Sequence, residues 1–129
     1  MDDRSAVITI GGTDYELLLT TLATKKMAQR YGGLEKFDGD FLQNFEPEQA
    51  LNEMTWLITL LANQSILIHN LWNADSKKAL LTEEMVDLLT DPFELVEYKN
   101  AIDAVMRKGT QRNVASESGD DSGGNAANA

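Results

Sequence analysis

Hydrophobic positions along this chain change period near residue 20. Val7, Ile8 and Ile10 form a β-branched run, Gly11-Gly12 follows, and Thr13 to Leu18 alternates, with Tyr15 and Leu17 on one face and Asp14 and Glu16 on the other. Two glycines can supply the positive φ values of a two-residue turn, so the stretch predicts a β-hairpin. A lone hairpin is not stable in water, so it must lie on helices or pair with another sheet edge. Beyond it the spacing becomes helical: Leu19, Ala23, Met27 and Tyr31 recur every four residues. Thr20 or Thr21 can cap this first helix. Lys25, Lys26, Gln29 and Arg30 take its wet side, and Gly32 suits the left-handed residue that closes it. Leu34 and Phe37 can fold back over that end.

Asp38 to Phe45 reads as a connector with room for one helical turn carrying Phe41, Leu42 and Phe45. Glu46-Pro47-Glu48 is a helix entry, because proline suits the first helical position and acids suit the positive end of the dipole. The predicted second helix, 47–72, would be roughly 40 Å long. Leu51, Met54, Leu57, Ile58, Leu61, Ile68 and Trp72 mark its stripe. Trp56, Leu60 and Leu67 widen it, which suits a helix central in a bundle or at a subunit contact. Asn63-Gln64-Ser65 is a candidate kink or break. After a polar connector, 73–78, Thr82 caps a short helix, Glu83 to Leu89, whose apolar side is Met85, Val86, Leu88 and Leu89. Asp91, Pro92 and Glu94 form a capping-box start for a last helix to about Lys108, with Leu95, Tyr98, Ile102, Val105 and Met106 as its stripe. Arg107 and Lys108 would complement its negative end, and Gly109 would stop it. The pattern predicts a mainly α (α+β) fold: an N-terminal β-hairpin and a small bundle of four or five helices in one domain, 1–109. Residues 110–129 hold one bulky aliphatic, Val114, and are expected to form a disordered, acidic Gly/Ser/Asn/Ala-rich tail.

Composition narrows the function. The 129 residues carry 21 acids against 11 bases, a formal net charge of −10, and 43% hydrophobic residues, enough for a core. The acids are spread along the chain, which disfavours nucleic-acid backbones and anionic lipid and permits basic protein partners. Cysteine is absent, which excludes disulfides, zinc-thiolate sites and thiol nucleophiles. MDDRSAV has acids where a secretory signal needs bases, and no run approaches the ~20 apolar residues of a membrane span. The expectation is a soluble cytoplasmic protein.

Candidate chemistry is sparse. His69 is the one histidine, and it lies within the apolar second helix with no nucleophile at a recognised spacing. Asp38-Gly39-Asp40 is too short for a calcium loop, and Asp120-Asp121 sits in the tail. Gly11-Gly12 and Gly32-Gly33 match no phosphate-binding pattern. Glu83, Glu84 and Asp87 read as a solvated face. No catalytic, cofactor-binding or metal-binding residue is assigned. The residues picked out for partner binding are Trp56, Leu60, Leu67, Trp72 and Tyr98, because tryptophan and tyrosine are enriched where binding energy concentrates.

In order and spacing, four segments resemble the tail assembly chaperones of long-tailed bacteriophages of the siphophage type. They are the opening ITIGGTDYELLLT, the helix ending RYGGLEKF, the helix EPEQALNEMTWLITLLANQ, and the late pair LLTEEMVDLLTDPFELVEYKNAIDAVM. The resemblance spans about residues 8–107. It implies a non-enzymatic protein of the host bacterial cytoplasm that binds the tape measure protein and tail tube subunits during tail morphogenesis and is absent from the mature virion. Many such proteins also occur as a longer product of translational frameshifting. A tape measure protein is a long helical, apolar-faced chain, and a small acidic helical domain can cover such stripes. Trp56 or Trp72 is then expected at a tape-measure contact or in a homo-oligomer. The competing reading is an acidic helical adaptor or regulator that binds another phage or host protein.

Overall fold

The computed structural model describes residues 5–33 and 41–118, with 108–118 described through their backbone alone. Strands β1 (Ser5–Ile10) and β2 (Thr13–Leu18) pair antiparallel, with Ile10 opposite Thr13 and Ile8 opposite Tyr15. Gly11 (φ 58°) and Gly12 (φ 84°) both take positive φ, which gives the two-residue turn its primed form and matches the strand twist. The alternation resolves the two faces as expected. Ile8, Ile10 and Leu17 are buried, while Thr9 and Asp14 face outward and share a 2.6 Å hydrogen bond. The hairpin lies on helices: β2 rests on α2 (Pro47–Trp72) and β1 on α4 (Pro92–Ser118).

Helix α1 (Thr21–Tyr31) begins at Thr20, whose hydroxyl accepts the Ala23 N–H at 3.0 Å. It ends at Gly32, which is left-handed (φ 91°, ψ 3°) and donates its N–H to the Ala28 carbonyl at 2.8 Å. Leu34 and Phe37 lie outside the described residues. A 3₁₀ turn at Phe41–Asn44 precedes α2. The short helix α3 (Glu83–Leu89) is capped by Thr82. The capping box of α4 closes both ways: Asp91 N–H donates to Glu94 Oε1 at 3.1 Å, and Glu94 N–H to Asp91 Oδ1 at 2.9 Å.

The core forms between the hairpin and helices α2 and α4, and α2 is its axis. Met54, Leu57, Ile58 and Leu61 of α2 pack with Ile10, Leu17, Ala23, Met27, Val86, Ile102 and Val105. Burying each of the larger aliphatic side chains contributes about 1.5–3 kcal/mol. All five residues of the α4 stripe, Leu95, Tyr98, Ile102, Val105 and Met106, are buried as expected.

Four expectations need correction. Asn63-Gln64-Ser65 does not break α2, which is one helix from Pro47 to Trp72; each of the three side chains finds a partner outside the helix. Leu51, Ile68 and Trp72 lie on the apolar stripe yet are exposed. At 26 residues, α2 outruns the 11-residue α1 beside it, and its ends emerge from the core. On α3, Val86 is buried while Met85, Leu88 and Leu89 are exposed, since seven residues present little more than one position to the core. Gly109 does not stop α4, which continues to Ser118 and leaves Arg107 about three turns before the end. Glycine inside a helix costs only about 1 kcal/mol relative to alanine and stops it only where the backbone turns left-handed. Residues 119–129 of the expected tail lie outside the described residues.

Candidate functional site

Polar side chains on α2 tie it to α1, β2 and the segment that follows it. At one end of α1, the Thr20 hydroxyl bonds Gln64 Oε1. At the other, Arg30 grips Glu53 with Nε at 2.8 Å and Nη2 at 3.1 Å, and the Tyr31 hydroxyl donates to the same carboxylate. Ten residues of α1 thus span eleven of α2, each roughly 15–17 Å of helix, so the two run antiparallel and nearly in register. Ser65 Oγ donates to the Glu16 carbonyl at 2.8 Å and ties β2 to the same helix.

Across this face of α2 from α1, residues 73–82 form a non-helical strap held by two asparagines. Asn63 donates to the Leu81 carbonyl and accepts its N–H, both at 2.8 Å. Asn70 treats Lys78 the same way, at 3.0 and 2.8 Å. Seven helical residues rise about 10.5 Å and three extended residues span about 10 Å, so the two clamps match an extended chain laid along the helix. His69 joins them: its Nε2 lies 3.0 Å from the Ser76 carbonyl, to which it donates. The lone histidine therefore holds the strap.

Between these fixed walls lies an open groove of about 520 Å³. Trp56, Leu60 and Leu67 are on its floor, Leu22, Lys26 and Arg30 on the α1 wall, and Leu80 and Glu83 on the strap wall. At 100° per residue the three floor residues fall within about 40° of one another on α2. Leu71, highly exposed, continues the same line toward the helix end. At the opposite end the floor is stiffened. The Arg30 guanidinium sits 4.4 Å from the centre of the Trp56 ring, a cation–π distance, and Tyr31 packs edge-on to Trp56 at 5.7 Å and to Phe41 at 4.8 Å. Glu53 anchors the cluster. Burial alone would push its carboxyl up, but hydrogen bonds from Arg30 and Tyr31 outweigh burial and hold it below the ordinary carboxylate range. The same contacts act in reverse on the partners. Bonding to Glu53 raises Arg30, while burial and then Glu53 push the Tyr31 phenol far up.

The five residues expected at a partner surface therefore divide. Trp56, Leu60 and Leu67 come together on the groove floor. Trp72 is 78% exposed but points about 160° around α2 from Trp56, on the continuation of the core stripe. Tyr98 offers no surface: it is 7% exposed and donates its hydroxyl to the Thr9 carbonyl, tying α4 to β1. Lys26, Arg30 and Glu83, which read from sequence as solvated positions, line the walls, and Leu22 and Leu80 join them without any sequence signal. Leu22 falls off the i, i+4 stripe of its helix, and the strap residues carry no periodicity at all.

Among the described residues, no group of three or more histidines, cysteines or carboxylates converges as on a metal ion. No helix among them is long and apolar enough to cross a membrane. No protein-family model, curated protein or solved structure matches this chain.

Proposed function

We propose that this protein is a non-enzymatic tail assembly chaperone of a long-tailed phage, which binds tape measure protein in the host cytoplasm and helps to recruit tail tube subunits. The observation that supports this reading most is the groove. An apolar strip, Trp56–Leu60–Leu67, forms the floor of an open groove between two walls on a chain of net charge −10. Apolar strips left uncovered on a small domain mark binding sites, and helix-in-groove docking is a common way to cover the apolar face of another helix. The acidic exterior keeps such a complex dispersed while the tape measure chain is still unsheathed. The resemblance in the order of the hairpin and helices supports the identity of the client.

Co-expression with tape measure and tail tube proteins of a long-tailed phage, taken from the genome that encodes this chain, followed by pull-down, tests the proposal. The wild-type chain is expected to bring down tape measure protein. Leu67→Asp is expected to lose it while keeping the wild-type helical circular dichroism, since Leu67 is 39% exposed and not a core residue. Trp72→Ala, on a different face of α2, is expected to retain it. Failure of the wild-type chain to capture either tail protein would end the chaperone reading.

A further inference from the structure

We infer that the groove is selective for the charge of its occupant: it takes an amphipathic α-helix whose apolar stripe is flanked by carboxylates on the side that meets α1. This inference rests on reading the groove as a docking site for an apolar helical chain, and adds what that chain must carry. The floor from Trp56 to Leu67 is eleven residues, about 16 Å or three helical turns. A helix suits it better than a strand. On the strap wall, both backbone groups of Leu81 are already bonded to Asn63 and both of Lys78 to Asn70, so these residues present no edge for strand addition. A helix brings its own backbone bonds satisfied.

The charge of the walls then decides the flanks. The whole chain has nearly two acids per base, yet the groove is lined by two bases, Lys26 and Arg30, and one acid, Glu83. Lys26 and Arg30 are four residues apart on α1, hence on one face, and Lys25 stands exposed beside them. Arg30 is held by Glu53, so Lys26 carries most of the uncompensated charge on that wall. The net −10 of the chain repels an acidic partner from afar. That field is screened over about 8 Å at physiological salt, whereas a carboxylate beside Lys26 acts at contact. The local sign therefore wins once the helix is seated.

The test uses the full chain and two labelled 14-residue helical peptides with the same leucine stripe, flanked along one side only by glutamates in one and by lysines in the other, compared by fluorescence anisotropy at 0.15 M salt. The glutamate peptide is expected to bind about tenfold tighter. Lys26→Glu is expected to abolish or invert that preference, and Leu67→Asp to weaken both peptides. Equal binding, preference for the lysine peptide, or a preference unmoved by Lys26→Glu overturns the inference. So does equally tight binding of a proline-broken glutamate peptide, which would indicate an extended occupant. Self-association in sedimentation equilibrium that Lys26→Glu removes also overturns it, by showing that a second copy fills the groove, for instance with its acidic α3–α4 segment around Leu88 and Phe93. The two readings fail separately. Peptide selectivity without tape measure capture defeats the chaperone proposal alone, and capture without selectivity defeats only this inference.

Discussion

Replacing Asn63 by alanine should free the strap without unfolding the domain. The side chain makes two hydrogen bonds of 2.8 Å, one to each backbone group of Leu81, at a partly buried position. Each neutral hydrogen bond contributes about 0.5–1.5 kcal/mol net, so losing both costs roughly 1–3 kcal/mol. Asn70 makes the matching pair with Lys78 at an exposed position, where water can replace it, so Asn70→Ala should cost less, about 1 kcal/mol or below. The strap residues 73–80 are all exposed, and Leu81 is the buried anchor. The loss therefore falls on local opening rather than on the core. A cost of about 2 kcal/mol multiplies the open population roughly 30-fold.

Hydrogen exchange at the Leu81 amide reads that population directly, and tryptic cleavage after Lys77 and Lys78 reads it independently when opening is fast relative to cleavage. Both should accelerate in Asn63→Ala, with the urea midpoint of the whole domain little changed. Leu81→Ala should instead lower the midpoint itself, since the side chain packs in the main core. If Leu81 exchange in Asn63→Ala matches wild type while Leu81→Ala accelerates it, the strap is held by its leucine, and the clamp argument is refuted.

Two further outcomes follow from the α1 wall. Glu53→Gln should cost about 2 kcal/mol at pH 7, below the 3–5 kcal/mol of a fully buried broken pair because Arg30 is partly exposed. Since the folded carboxyl titrates below its unfolded value, Glu53 contributes fully above about pH 4.5. That contribution is lost as pH falls through the lowered folded pKa, so urea midpoints of the variant and wild type should converge as the solution is acidified below that range, and a gap independent of pH would contradict the assignment. Gly32→Val places a β-branched residue at φ 91° and should cost about 2 kcal/mol, lowering Tm by several degrees in calorimetry; an unchanged Tm would remove the left-handed cap.

Features fixed by neighbours in sequence are legible in the sequence itself. The Gly11-Gly12 turn, the Thr20 and Thr82 caps, the Asp91–Glu94 box and the bounds of α2 each depend on residues within a few positions of one another. Contacts across the fold were not. Asn63, Gln64 and Ser65 look like an interruption because their partners lie 18, 44 and 49 residues away. Periodicity placed Trp72 on the core stripe, and it does lie there, but periodicity cannot say where the neighbours on that stripe run out. The same limit explains the groove: Trp56, Leu60 and Leu67 stand out in sequence as a widened stripe, while the cations above them belong to another helix, on a face that reads as ordinary solvated surface.

The manner in which the walls are held bears on why the groove stays open. A domain that folded to maximise apolar burial would slide α1 and the strap over Trp56, Leu60 and Leu67. Here each wall is pinned at two points by hydrogen bonds of fixed length. Thr20–Gln64 and Arg30–Glu53 hold α1, and Asn63 and Asn70 hold the strap. Closing over the floor would break several of these bonds, at about 1 kcal/mol each and more for the charged pair, to gain burial of three side chains already partly covered. Those terms are of similar size, so polar pinning can offset the apolar drive to close. A groove held this way is already formed in the free protein, so a helix of the kind proposed above would meet little further ordering cost from it.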